Sequence, residues 1–318
     1  LNIRSPYGKD ALEELRNVYG LEGFDALEGL VNAALERHYA LHSRVLEVHV
    51  AYGLTVALEI DQGRHYLKFW SSRDQPDLPT VFAFLDALEQ RGVPAPRVVR
   101  TVDGAHSLNL LPRTAYDSAY LMRRAVGAPA QSFSTPRLTA LARTLAAWHS
   151  VGAEFAHGAS VDFALEMRAG LPETLEALRD QPTASAAGAW LETRLSALPD
   201  LPRVRTHGDF RLCHVFFQGD AVSGVIDADT SIVRTRLADV AQAVVTHPDP
   251  ARCALLEVNE IQTVLGAYNQ FLPPNSDERA ALPVIVVYTA LEQWAQSDHR
   301  DDERAAALVT ALFEHFDR

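Results

Sequence analysis

The stretch that most constrains this chain runs from Val204 to Val240, VRTHGDFRLCHVFFQGDAVSGVIDADTSIVRTRLADV. Short apolar runs alternate there with tight polar loops, and the polar residues stand where the runs break. His207, Gly208 and Asp209 come first, with Arg211 and His214 in the same loop. Val215 to Phe217 reads as a β-strand, Gly219-Asp220 as its turn, and Val222 to Ile226 as a second strand ending at Asp227. Two carboxylates, Asp209 and Asp227, are thus carried at the ends of apolar segments, where packing holds them rigidly.

In a protein-kinase catalytic loop, an Asp orients the substrate hydroxyl and receives its proton. An Asn five residues on holds magnesium, and a second metal-binding Asp follows on a later strand. Here Asp209 is followed five residues on by His214, and Asp227 stands in the later place. The chain resembles the aminoglycoside phosphotransferase and choline kinase superfamily, whose signature is H-G-D-x-x-x-x-N, a short hairpin, then I-D ahead of D-[LV]-A. It supplies His207-Gly208-Asp209, Ile226-Asp227 and Asp239-Val240-Ala241, and departs at His214, where the family has Asn. The match extends over about residues 65 to 245.

The resemblance implies a two-lobed, protein-kinase-like α+β fold. Residues 1–124 form a small lobe with an antiparallel sheet and one helix, and residues 125–318 form a large, mainly helical lobe with the catalytic loop and acceptor pocket. With 318 residues and 47% hydrophobic content, the chain is long enough to bury cores of that size. A net charge of −12 argues against a nucleic-acid surface, which needs clustered basic residues. No apolar run reaches the 18 residues of a membrane span, so a cytoplasmic protein with no membrane partner is expected. The two cysteines, Cys213 and Cys253, make no disulfide framework and read as thiols of a cytosolic protein. The chain opens on Leu1, which reads as a trimmed start.

Asp10 to Tyr19 and Phe24 to Ala40 carry apolar residues at helical spacing. Val45 to Val50, Leu54 to Ile60 and Tyr66 to Trp70 read as a three-strand meander. Its first connection, Ala51-Tyr52-Gly53, holds one glycine and gives only a weak signal for cradling phosphate. Lys68 is the sharper feature: the chain has two lysines against 27 arginines, and this one sits in the apolar strand Tyr66-Leu67-Lys68-Phe69-Trp70. A stem snorkelling past aromatic neighbours is one reading; the resemblance implies the phosphate-binding lysine of the third strand. Asp77 to Arg91 reads as a helix whose apolar face carries Val81, Phe84, Leu85 and Leu88, and Val81 stands where many superfamily members pair a Glu with that lysine.

Val98 to Thr101 and Ser107 to Leu111 are expected to pair as a hairpin, followed by a strand from Ala119 to Arg124. At its exit the resemblance implies a hinge, with the backbone of Arg123, Arg124, Ala125 and Val126 meeting adenine. Thr135 is expected to cap a helix opened by Pro136. Two helical stretches between Asp162 and Leu198 read as the substrate side, and three more follow residue 250. Local echoes at Asp77-Leu78-Pro79-Thr80, His149 to Phe155, Val215 to Asp220 and Gly266-Ala267-Tyr268 bring the chain nearest the homoserine kinase branch.

The implied function is phosphate transfer from ATP or GTP, with Mg²⁺ or Mn²⁺, to a hydroxyl of a small-molecule acceptor such as an amino alcohol or homoserine. Asp209 then orients the hydroxyl and takes its proton, Asp227 and His214 are the metal ligands, and Lys68 fixes the α/β-phosphates. Arg211 sits like the loop lysine that kinases aim at the γ-phosphate. His207 and His149 read as structural, and Asp239 as the anchor of the loop. His214 leaves alternatives open, because imidazole suits transition ions better than Mg²⁺. These are an enzyme with altered metal preference, a weak one using Asp227 and water, a silent nucleotide-binding relative, or a metal-dependent hydrolase built on His207, Asp209, His214 and Asp227.

Overall fold

The computed structural model describes residues 2–4, 11–50, 53–61, 63–70, 77–110, 117–245, 256–296 and 303–316. Cys253 and the connection 51–52 lie outside them. The chain divides into two compact units, residues 1–85 with 96–125, and residues 86–95 with 126–318.

Leu54, Val56, Leu58 and Ile60 alternate with residues of the other face, and this two-residue period makes the centre of a sheet with one side turned to a core. The first unit contains β1 (Asn2–Arg4), α1 (Ala11–Tyr19), α2 (Phe24–Tyr39), β2 (Arg44–Val50), β3 (Leu54–Ile60), β4 (Gly63–Trp70) and the start of α3 (Leu78–Gln90). β5 (Val98–Val99), β6 (Leu108–Asn109) and β7 (Ser118–Arg123) complete it. The strands lie in the order β1-β2-β3-β4-β7-β5, with β6 also on β7. All neighbours are antiparallel except β1 on β2. Val48, Val56, Leu58 and Leu67 of the sheet share a core with Leu15, Leu27, Val31 and Leu35 of α1 and α2. Each such side chain contributes roughly 1.5–3 kcal/mol on burial.

Among the described residues, which leave out Leu111, the expected hairpin of Val98 to Thr101 with Ser107 to Leu111 is not formed. Both short strands pair with β7 instead, Val98 opposite Met122 and Leu108 opposite Ala119. Ser118 to Leu121 is buried throughout, so its second edge of backbone donors and acceptors must find strand partners. The intervening chain closes on itself through Thr101 N–H to the Ala105 carbonyl at 2.9 Å.

The second unit contains β8 (Ala128–Pro129), α4 (Thr135–Gly152), α5 (Phe163–Ala177), α6 (Pro182–Leu195), β9 (Arg203–Arg205), β10 (Val215–Gln218), β11 (Ala221–Val225) and β12 (Val233–Thr235). Four helices follow: α7 (Arg236–Val245), α8 (Val258–Phe271), α9 (Ser276–Gln296) and α10 (Glu303–Phe316). α4 is capped by Ser134, whose Oγ accepts from Arg137 N–H at 3.4 Å, and Thr135 already belongs to the helix. Either hydroxyl suits a cap; Pro136 ends up one place deeper than the expected first position. α9 is buried along most of its length, from Ala281 to Ala295, and α5, α6, α7 and α10 pack on it. Residues 86–95 belong to this unit because Trp148 Nε1 donates to the Pro94 carbonyl at 2.9 Å and Arg91 pairs with Glu154 at 2.6 Å. Among the described residues, no helix is long and apolar enough to cross a membrane.

Candidate active site

The polar loop between β9 and β10 is shaped by the need to turn sharply beside a packed strand. Gly208 has φ 91°, and a Cβ there would lie 2.0 Å from the Thr230 carbonyl oxygen, so only glycine fits. The chain then makes a single 3-10 turn, Leu212–His214, and enters β10, which pairs with β11 on one side and β8 on the other. Asp227 follows β11 in the left-handed region at φ 66°. Asp tolerates that conformation better than most side chains, though it remains strained.

The result brings three sequence-predicted residues together. One ligand atom from each of Asp209, His214 and Asp227 lies within 4.8 Å of the others. His214 Nδ1 is 3.0 Å from the Asp209 backbone carbonyl and 3.7 Å from its carboxylate, while Nε2 is 3.6 Å from the Asp227 carboxylate. Burial pushes the imidazole pKa down, but the Cys213 side chain and the carboxylates of Asp227 and Asp209 outweigh it and raise it to about 9. At neutral pH His214 is therefore an imidazolium between two carboxylates, a cation in a place that attracts one. When neutral, its Nδ1–H donates to the Asp209 carbonyl and leaves the Nε2 lone pair on the Asp227 side. Two carboxylates and one imidazole nitrogen fit a divalent ion, with a donor set softer than all oxygen. Arg211 Nε donates to Asp209 Oδ1 at 2.5 Å. Arg211 thus engages the carboxylate itself rather than standing apart from it.

Behind the loop, Asp239 near the start of α7 is fully buried. Its carboxylate accepts from His207 N–H at 2.6 Å, Gly208 N–H at 3.2 Å and Arg234 Nη2 at 3.1 Å. His149 Nε2 lies 3.4 Å away. Burial pushes the Asp239 pKa up, but the bond with His149 and the charge of Arg234 more than reverse this and hold it well below the usual carboxylate range. Burial lowers the pKa of His149, so its neutral ring donates to Asp239 and accepts from Tyr268 OH at 2.8 Å. Tyr268 OH in turn accepts from Arg236 Nη1 at 3.3 Å, and Arg236 forks onto Glu278 at 2.6 and 2.8 Å. His207 is wedged between Trp148 and Phe210, with ring centroids 5.0 and 5.3 Å away. Its Nδ1 accepts from Asp209 N–H at 3.2 Å and Nε2 donates to the Ile226 carbonyl at 2.9 Å, joining the two carboxylate-bearing segments. Sequence reasoning identified His207, His149 and Asp239 in these roles and passed over Arg234, Arg236, Tyr268 and Glu278. The available signal was two arginines set in the apolar stretch from Ile232 to Val245.

The remaining predicted residues lie elsewhere. Lys68 is central in β4 of the first unit, opposite Thr55 on β3 and Tyr120 on β7, while neighbouring Leu67 and Phe69 point into the core. Arg123 N–H donates to the Arg97 carbonyl at 2.9 Å and Arg124 N–H to the Arg64 carbonyl at 3.1 Å. The Val126 carbonyl accepts from Ser223 Oγ at 2.6 Å. Ala125 ends the first unit and Val126 begins the stretch that joins the second.

A model of the phosphotransferase enzyme family matches residues 50–281. The homoserine kinase of Methylobacillus flagellatus is 28% identical over 235 residues, which cover 74% of this chain and 72% of that enzyme. The homoserine kinase of Methylobacterium nodulans is 27% identical over 290 residues, covering 89% and 83%. Among solved structures, an amicoumacin kinase in complex with AMP-PNP, Ca²⁺ and Ami has a TM-score of 0.63 at 12% identity, covering 92% of this chain and 94% of that one. A microcompartment-associated aminopropanol kinase has a TM-score of 0.59 at 16% identity, covering 89% and 94%. These likenesses make the fold kinase-like, and the family match removes the hydrolase alternative. The chain belongs to the phosphotransferase enzyme family.

Proposed function

We propose that this protein transfers the γ-phosphate of ATP, or of GTP, to the hydroxyl of a hydroxy amino acid or amino alcohol, with homoserine the first acceptor to test. The observation that carries this reading is the cluster of Asp209, His214 and Asp227, held from behind by the buried Asp239. Phosphate transfer requires little covalent work of a protein; it requires positioning and charge neutralisation around an in-line transition state. Asp209 orients the acceptor hydroxyl and takes its proton as the new P–O bond forms. Arg211, released from Asp209, follows the transferring phosphate. Asp227 and, once the imidazolium has given up its proton to solvent, the Nε2 atom of His214 would hold a divalent ion, Mg²⁺ or Mn²⁺. When bound, that ion neutralises charge on the nucleotide's phosphates. Lys68 binds the α/β-phosphates, and the backbone of the segment Arg123 to Val126 meets the base.

The homoserine kinase relatives support the acceptor class. A cytoplasmic location agrees with such a substrate. A second reading, a nucleotide-binding relative without transfer, draws on the imidazolium and Arg211 that neutralise the two carboxylates. Initial rates of nucleotide-dependent transfer to homoserine and to small amino alcohols decide between them. Asp209→Asn keeps the shape and removes the proton acceptor, so transfer falls about 10²–10⁴-fold while nucleotide still raises the melting temperature. Turnover near wild type in Asp209→Asn places the chemistry elsewhere. A nucleotide shift without transfer to any acceptor supports the silent reading.

A further inference from the structure

In the second unit α7 and α10 pack on α9, and α8 packs on both α7 and α10, yet the four helices do not close completely. Small residues keep them apart: Ala290 on α9 and Ala305 on α10 line a cavity of about 230 Å³ between them. Its floor is apolar, and Val245, Leu256, Trp294 and Val309 there are at most 3% exposed. An apolar cavity of about 150 Å³ already takes a benzene-sized ligand. The space here therefore holds a branched aliphatic or a phenyl side chain.

The rim of this cavity is charged. Glu257, the N-cap residue of α8, and Arg304, the second residue of α10, both line it, and Arg304 Nη2 donates to Glu257 Oε1 at 3.1 Å. Both side chains are more than half exposed, so water screens the pair and it opens at little cost. Two helices begin at this rim, and the positive ends of their dipoles favour an anion beside Arg304. Guanidinium, carboxylate and apolar space thus stand together as the complements of the carboxylate, the ammonium and the side chain of an amino acid.

We propose that the cavity between α7, α8, α9 and α10 is a binding site for an apolar α-amino acid of the size of leucine or phenylalanine. The ligand splits the pair at the rim. Its carboxylate takes the Arg304 guanidinium, its ammonium takes the Glu257 carboxylate, and its side chain fills the space against Trp294 and Val309. One solvent-screened ion pair is exchanged for two charge-assisted ones, and apolar surface leaves water. The site shares no residue with the Asp209 cluster, and the inference does not depend on the transfer reading.

The test is calorimetric titration and thermal melting of the full chain with L-leucine and L-phenylalanine. Three analogues of leucine each lack one feature: 4-methylpentanoate the ammonium, 3-methylbutylamine the carboxylate and glycine the side chain. At ten times its Kd the better-bound amino acid raises Tm by about 2–4 °C, and each analogue binds about tenfold or more weakly than leucine. Arg304→Gln and Glu257→Gln change exposed side chains, keep the fold, and weaken amino-acid binding about tenfold or more. Ala290→Leu fills the cavity and abolishes binding, its melting temperature without ligand checking that it is folded; the two exposed variants decide if it is not. No saturable binding of either amino acid at millimolar concentration overturns the site, as does leucine bound no more tightly than its analogues. Binding that Arg304→Gln and Glu257→Gln both leave unchanged places the amino acid elsewhere, in the acceptor's position or another, and overturns it equally.

Discussion

The two faces of the catalytic loop are built in opposite ways. Behind it, Asp239, His149, Tyr268, Arg236 and Glu278 form a buried series in which successive donors meet acceptors. In front, Asp209, His214 and Asp227 crowd two carboxylates around one imidazole, and both carboxylates remain partly open to solvent. A satisfied buried network rigidifies, because breaking any member leaves an uncompensated charge in a low dielectric. The front is balanced differently: its two carboxylates are neutralised by the His214 imidazolium and by Arg211, cations that a divalent ion would have to displace. The back of the loop thus carries stability and the front carries chemistry, and the residues that join them, His207 and Gly208, have no freedom to move.

The sharpest way to break this contrast is Asp239→Ala. It removes the acceptor for two loop N–H groups and strands Arg234, so unfolding free energy falls by about 3–5 kcal/mol in urea titration. A loss under about 1 kcal/mol would mean that the rear network does not hold the loop.

Acid should dismantle the back in two stages. Burial lowers the pKa of His149 in the folded state. Its contribution is therefore complete above the unfolded value of about 6.5 and is lost as pH falls below it, by at most about 1.4 kcal/mol per pH unit per proton. Asp239, held low in the folded state, keeps its contribution down to about pH 4 and loses it below. Chemical denaturation from pH 8 to 3 should show both declines, and His149→Gln should lessen the first, to which His207, its pKa also lowered by burial, contributes as well. A flat profile between pH 7 and 5 in the wild type contradicts the neutral buried ring.

A smaller effect sharpens the role of the first unit. If Lys68 binds phosphates, Lys68→Ala weakens nucleotide affinity about tenfold and cuts the nucleotide-induced rise in melting temperature by about 2–3 °C. An undiminished rise assigns Lys68 to packing alone.

Much of the front was legible in the sequence because its requirements are local. A Gly at φ 91°, an Asp beside it and another Asp at φ 66° leave few alternatives at those positions, and short strands mark the spacing. The meander, the helices and their apolar faces were legible for the same reason. The short strands at Val98 and Leu108 were misassigned to each other because pairing is decided by which edge is unfilled, and that edge belongs to β7. Arg234 and Arg236 sat in plain view, and their setting in the apolar stretch from Ile232 to Val245 was the one local sign of their burial.

The claim that the front of the loop is a cation site altered by His214 is tested most directly by the metal dependence of phosphate transfer. Wild type and His214→Asn are assayed side by side with Mg²⁺ and Mn²⁺. The imidazole nitrogen predicts that the wild type favours Mn²⁺ and that His214→Asn moves the preference toward Mg²⁺. Identical rates and identical metal dependence in the two proteins would show that His214 is no ligand and contradict the account.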